Sequence, residues 1–203
     1  MVLLTGSRRL KRFHLRTETY GENYMSDFLT IDIKGFKADL PILPLPSGVK
    51  IAFFNLHGDA EMTEWCGKKL AGYLTDCDVL ITAESKGLQL THVTARELNQ
   101  RFYAVARKSK KLYMQDGISV EYGSSITTGK PQQYFLSKHD VDLLRGKKVG
   151  IVDDVVSTGE SLAGLESLVS KAGGIITKKA FVLAEGKAAD RPDIIYLAKI
   201  PLL

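Results

Sequence analysis

Cysteine is scarce in this chain, long apolar runs are absent, and so are the glycine-rich nucleotide fingerprints. Of its 203 residues, two are cysteines, Cys66 and Cys77. Two thiols make no disulfide framework, and their spacing is not that of a metal site, so both read as buried structural thiols. His14, His57, His92 and His139 are scattered, with no carboxylate or cysteine at ligand spacing. They read as ordinary histidines, and no metal site built from protein ligands is expected. No window approaches about 18 consecutive apolar residues, which excludes a membrane-spanning helix. The start, MVLLTGSRRLKR, places its charges after a short apolar stretch, the reverse of a signal peptide, so a cytoplasmic protein is expected. There is no Gly-x-Gly-x-x-Gly. The string nearest to a P-loop runs from Gly123 to Pro131, with one residue too many between its glycines and a proline where a hydroxyl must hold Mg²⁺. A P-loop nucleotide hydrolase is thereby excluded.

What is present fits one globular unit: 44% hydrophobic residues against 25% charged. The formal net charge is +5. The basic residues are spread out, apart from a cluster at Arg107-Lys108-Ser109-Lys110-Lys111 beside an apolar run. No basic stripe is interleaved with aromatics, so the charge suits a small polyanionic substrate better than nucleic acid.

Residues 1–55 differ from the rest. RFHLRTETYGENYMSDFLTIDI alternates in places, as strands do, Pro41, Pro44 and Pro46 then break regular structure, and 49–55 reads as a strand. This predicts a small β-rich hood, with the core over 56–203. In the core, Met62, Cys66, Leu70, Tyr73 and Leu74 recur at helical spacing. Strands are predicted at 78–82, 102–106, 148–152, 176–183 and 194–197, with helices at 87–98 and around Leu162–Val169, the latter stopping at Gly173-Gly174. Strand and helix in alternation predict an α/β fold: an open, mostly parallel sheet with helices on both faces. Ligands of such sheets bind beyond the carboxyl ends of the strands, after Thr82, Ala106 and Val152. The polar segment 112–137 does not fit the alternation, is too polar for a core element, and reads as a long flexible lid loop.

After Val152 comes Asp153-Asp154-Val155-Val156-Ser157-Thr158-Gly159-Glu160-Ser161, leading into a helix. A helix N-terminus offers free N–H groups and a positive dipole end, and hydroxyls add donors. Gly159 lets backbone approach an anion closely. Carboxylates accept from hydroxyls and repel phosphate. The segment therefore describes a ligand with vicinal hydroxyls on one side and a phosphate on the other, such as a ribose 5-phosphate. A helix cap alone needs one such residue, not two acids and a polar run.

This segment resembles the phosphoribosyl-pyrophosphate (PRPP) motif of type I phosphoribosyltransferases, and two others resemble that family in the same order. Glu84-Ser85-Lys86-Gly87 is similar to the pyrophosphate loop of adenine enzymes. Arg107, Lys108 and Lys111 match its basic turn at the diphosphate. Val120-Glu121-Tyr122-Gly123 is similar to a string in the adenine enzymes' flexible loop, which implies that Glu121 assists charge or proton movement and Tyr122 covers the reacting centre. The resemblance implies a catalytic set of Glu121, Tyr122, Asp153 and Asp154, and PRPP binding by 153–161. It implies transfer of the phosphoribosyl group from PRPP to a purine base, adenine first, with Mg²⁺ bound mainly through PRPP, in a homodimer. Xanthine, guanine or orotate enzymes, and a PRPP-sensing regulator without turnover, stay open as alternatives. The adenine enzymes' Pro-Gly hood segment is missing, and Glu160 stands where glycine is usual.

Overall fold

The computed structural model describes residues 27–45, 48–124 and 131–203. The N-terminal strand reading over Arg12–Ser26 lies outside them. From Phe28 onward the alternation holds: β1 (Phe28–Ile33) pairs antiparallel with β2 (Phe36–Pro44), which pairs with β3 (Lys50–Ala52). The proline reading needs correction, since β2 runs through Pro41 to Pro44. Pro41 sits where β2 hands over from β1, which it pairs through Pro41, to β3, which it pairs from Ile42. There its missing N–H is not needed, while its carbonyl accepts from Phe53 at 2.9 Å.

α1 (Ala60–Ala71) begins at Asp59, whose carboxylate caps the Met62 N–H at 2.9 Å. β4 (Val79–Ala83) is buried at every position, and α2 (Gly87–Glu97) follows it. β5 (Ala104–Ala106) is shorter than predicted. β6 (Ile118–Ser124) and β7 (Pro131–Leu136) form an antiparallel hairpin, followed by α3 (Lys138–Leu144), which opens with a Ser137–Asp140 capping box. β8 (Lys148–Val156), α4 (Glu160–Ala172), β9 (Ile175–Glu185) and β10 (Ile195–Ile200) complete the order. Cys66 and Cys77 are free and buried, as expected.

The central sheet is parallel, in the order β10-β9-β8-β4-β5. One of its faces packs on α1, α2 and the N-terminal sheet, through Cys66, Leu70, Leu90 and Val152. The other packs on α3, α4 and the hairpin, through Ile151, Leu165, Leu168 and Leu136. The α/β expectation of helices on both faces is thus met.

The segment 112–137 is a correction. It is not a free polar loop: Tyr134 and Leu136 are buried in the core, and Arg107 bridges to Phe135 of β7. The polar residues alternate with Ile118, Val120, Tyr122, Tyr134 and Leu136, so one face of the hairpin is largely apolar and packs on the core. Residues 125–130 of that segment lie outside the described set.

Candidate active site

The chain leaves β4 for β5 on one side, then returns to β8 on the other. The strand order reverses between β4 and β8, which is where open parallel sheets bind ligands. The two strands pair from Val79↔Val149 to Ile81↔Ile151 and no further. Beyond that point β8 continues alone against β9, through Asp153↔Phe181 to Val156↔Ala184. Asp153 and Asp154 therefore lie within β8, not past its end as the sequence reading had them, and they flank the crevice that opens beside β4. Period-two alternation sends them to opposite faces.

Asp153 follows Ile151 to the α4 face. Its Oδ1 accepts the Asp154 N–H at 2.9 Å, and a Cβ on Gly87 would lie 2.7 Å from it, so the carboxylate sits against the start of α2. Burial, and then the neighbouring Asp154 charge, hold its proton above the usual carboxylate range. Asp154 is buried on the other face, and its Oδ2 has no hydrogen-bond partner. Lys86 Nζ forms an ion pair with that oxygen at 3.6 Å, too long for a hydrogen bond. A buried acceptor left open at the switch point of the sheet is a group waiting for a donor.

Beside the pair lies a cavity of about 120 Å³, lined by Asp153, Val155–Gly159, Ser161, Leu162, Leu165 and Phe181. Gly159 caps α4 with φ 84°, and the first-turn N–H groups of α4 have no partner within the helix. The Glu160 side chain, expected in the phosphate loop, is directed elsewhere: its carboxylate lies over Gly123 of the hairpin, where a Cβ would come within 2.5 Å of Oε2. Only its backbone remains at the loop.

The second and third segments meet each other. Glu84 is turned onto the basic turn. Its Oε1 accepts the Lys108 N–H at 2.5 Å, and its Oε2 lies 2.6 Å from Arg107 Nε, an ionic contact with the N–H out of line for a hydrogen bond. A carboxylate would repel diphosphate, so its work is to hold the basic turn against β4. Lys86 folds inward, 3.5 Å from the Phe54 carbonyl and over the Phe53 ring. Lys108 is exposed and Lys111 half-buried, and Lys111 Nζ donates to Ser109 at 2.7 Å.

Among the described residues neither Glu121 nor Tyr122 hydrogen-bonds the acidic pair, although Tyr122 lies within range of the Asp153 charge. Tyr122 stacks on Tyr134 with ring centroids 4.1 Å apart, lies flat on Gly164 of α4, and donates to Gln132 at 3.0 Å. Burial raises the pKa of both phenols. Glu121 is exposed on the opposite face of the hairpin, accepting from Gln133 at 2.8 Å.

Three residues at the site escaped the sequence reading. His57 reaches Ser85 Oγ at 3.4 Å and Gln89 at 3.2 Å. Phe53 is partly exposed beneath Lys86. Arg191 brings Nη1 to Gly159. Each arrives from a distant part of the chain, and no spacing signals it.

A parallel sheet with an acidic pair at its switch point, a hydroxyl-rich helix mouth beside it and a basic turn opposite defines a fold that handles phosphorylated sugars. The phosphoribosyl transferase domain family matches residues 59–199. Similar curated proteins include xanthine phosphoribosyltransferases of Exiguobacterium sp. (strain ATCC BAA-1283 / AT1b), 32% identical over 69% of this chain and 75% of that one, and of Bacillus cereus (strain B4264), 32% identical over 64% and 68%. Among solved structures, the adenine phosphoribosyltransferase of Thermoanaerobacter pseudethanolicus ATCC 33223 superposes with a TM-score of 0.66 at 26% identity, over 79% of this chain and 95% of that one. The enzyme of Giardia lamblia complexed with 9-deazaadenine gives 0.63 at 18%, over 79% and 93%, a likeness of fold. The chain belongs to the phosphoribosyltransferase family and is a PRPP-dependent pentosyltransferase.

Proposed function

We propose that this enzyme transfers the phosphoribosyl group of PRPP to a purine, with xanthine as the base, giving a nucleoside 5′-monophosphate and pyrophosphate. The observation that carries the reading is the open Asp154 acceptor at the sheet's switch point, beside Asp153 and the cavity at the mouth of α4. Asp153 and Asp154 accept from the ribose hydroxyls, and the first-turn N–H groups of α4 with Ser157, Thr158 and Ser161 hold the 5-phosphate. Ser85, Lys86, Arg107, Lys108 and Lys111 receive the diphosphate, whose charge grows as the C1 bond breaks. The open acidic oxygen also suits Mg²⁺, a hard cation met through its water shell and the substrate's own oxygens. When bound, the ion neutralises the diphosphate and orients it for departure.

The choice of base rests on the curated relatives, which are xanthine enzymes at 32% identity. Adenine is the second reading, favoured by the Glu121-Tyr122-Gly123 string and by the adenine enzymes among the structural neighbours. Base recognition in this reading falls to the N-terminal region and to the β9 end at Leu183–Gly186. In this reading residues 1–55 act as a hood over the core at 56–203, and Glu121 and Tyr122 of the hairpin belong to the catalytic set. The test is incubation with PRPP, Mg²⁺ and adenine, guanine, hypoxanthine, xanthine or orotate in turn, following pyrophosphate. Release with xanthine supports the reading, release with adenine alone transfers it to the second base, and PRPP binding without release of pyrophosphate would indicate a regulator.

A further inference from the structure

The phosphate loop carries no cation of its own. From Asp153 to Leu162 there is no Lys or Arg, while three residues are acids. A phosphate entering the cavity meets N–H groups and hydroxyls, but also the field of the acidic pair. Compensating charge has to come from another part of the fold.

Arg191 follows the short 3-10 turn Gly186–Asp190 that leads out of β9. Its Nε and Nη2 grip both oxygens of Asp193, at 3.0 and 2.7 Å. Asp193 is held in turn by Lys179 Nζ at 2.6 Å, which also contacts Glu166 of α4 at 2.5 Å. Two cations and two anions thus form a balanced cluster that fixes the guanidinium plane. Nη1 is the nitrogen left over, with no hydrogen-bond partner among the described residues. It points at the loop: a Cβ on Gly159 would lie 3.1 Å from it. At φ 84° Gly159 is also where a side chain would be strained, so the approach between guanidinium and loop stays clear. A guanidinium clamped on one edge and free on the other is suited to a phosphate oxygen, because its donors are fixed before the ligand arrives.

We infer that Arg191 is the cationic ligand of the 5-phosphate, with Asp193 and Lys179 as its positioning residues; this rests on the phosphoribosyl reading of the loop. Arg191 serves ground state and transition state alike, since the 5-phosphate takes no part in bond breaking. Its loss should raise KM for PRPP with little change in kcat.

The experiment is calorimetric titration of the intact chain with ribose 5-phosphate and, separately, with Mg²⁺-pyrophosphate. Arg191→Gln keeps a hydrogen-bond donor for Asp193 but removes the charge. It is expected to weaken ribose 5-phosphate by about 10- to 100-fold and leave pyrophosphate unchanged. Arg191→Lys, which keeps a charge for Asp193 if the Gln variant does not fold, should fall between. Equal ribose 5-phosphate affinity in wild type and a folded variant overturns the inference and leaves the phosphoribosyl reading standing. Parallel loss of both ligands shows a structural role and also overturns it. If wild type itself binds neither ribose 5-phosphate nor PRPP, the reading of the loop falls, and the inference with it.

Discussion

Asp153 joins two demands that conflict. In its proposed role Asp153 accepts most strongly from ribose hydroxyls as a carboxylate, yet burial and Asp154 both favour its protonated form. The folded protein therefore keeps a proton that the unfolded chain releases in the ordinary carboxylate range. Stability from this group is fully present below that range and is lost as pH rises through the raised folded value. Asp153→Asn removes the penalty and the acceptor together. At neutral and alkaline pH the variant should melt about 2–4 °C higher, the effect of about 1 kcal/mol in a chain of this size, with the two curves converging in acid. Its affinity for PRPP should fall about tenfold or more. Thermal melts across pH and PRPP titration check both halves; a variant that melts lower at pH 8 would show that the carboxylate is better accommodated than its surroundings imply.

At the scale of elements, the hairpin and α4 behave as one unit. Gly164 lets the Tyr122 ring lie on the helix: a Cβ there would come within 2.6 Å of Tyr122 Cγ and 2.9 Å of its Cβ. Those atoms are near the backbone and cannot swing aside. Gly164→Ala should gain about 1 kcal/mol of helix propensity but lose about 1–3 to overpacking. The expected net result is destabilisation of about 1–2 kcal/mol with the hairpin displaced, read by urea unfolding and by amide exchange at Val120 and Tyr134. An increase in stability would mean that the hairpin is only loosely seated. This contact also explains what the sequence could not say. Ile118, Val120 and Tyr122 alternate as a strand should, but the glycines, serines and glutamines around them suggested a loop, and composition outweighed period. The acidic pair suggested the end of β8 for a similar reason: carboxylates look like a terminus, although Val155 and Val156 carry the strand on. The three loops of the site were legible because each follows a strand directly. His57, Phe53 and Arg191 were not, because their nearness to those loops is created by tertiary packing alone.

At the scale of the molecule, the turn after β5 is exposed in a way that a monomer would not favour. Leu112 is 91% and Tyr113 68% exposed, side by side, immediately after Lys110 and Lys111. Burying a leucine side chain gains about 1.5–3 kcal/mol, so leaving it in water is an unused contribution. The same turn is tied to the site, because Arg107 Nη1 donates to the Tyr113 hydroxyl at 3.3 Å and Glu84 holds the backbone of Lys108. A second copy seated on Leu112 and Tyr113 would bury them and stiffen the basic turn together, which is our reason for proposing a homodimer. Leu112→Ser combined with Tyr113→Ser should shift the sedimentation coefficient from dimer to monomer and raise KM for PRPP. Because both side chains are exposed in the single chain, the variant's fold should be unaffected, and its circular dichroism should match wild type. A wild type that sediments as a monomer at all accessible concentrations would remove the partner from this surface. A variant that stays dimeric would place the interface elsewhere on the molecule and leave the exposure of Leu112 without a cause.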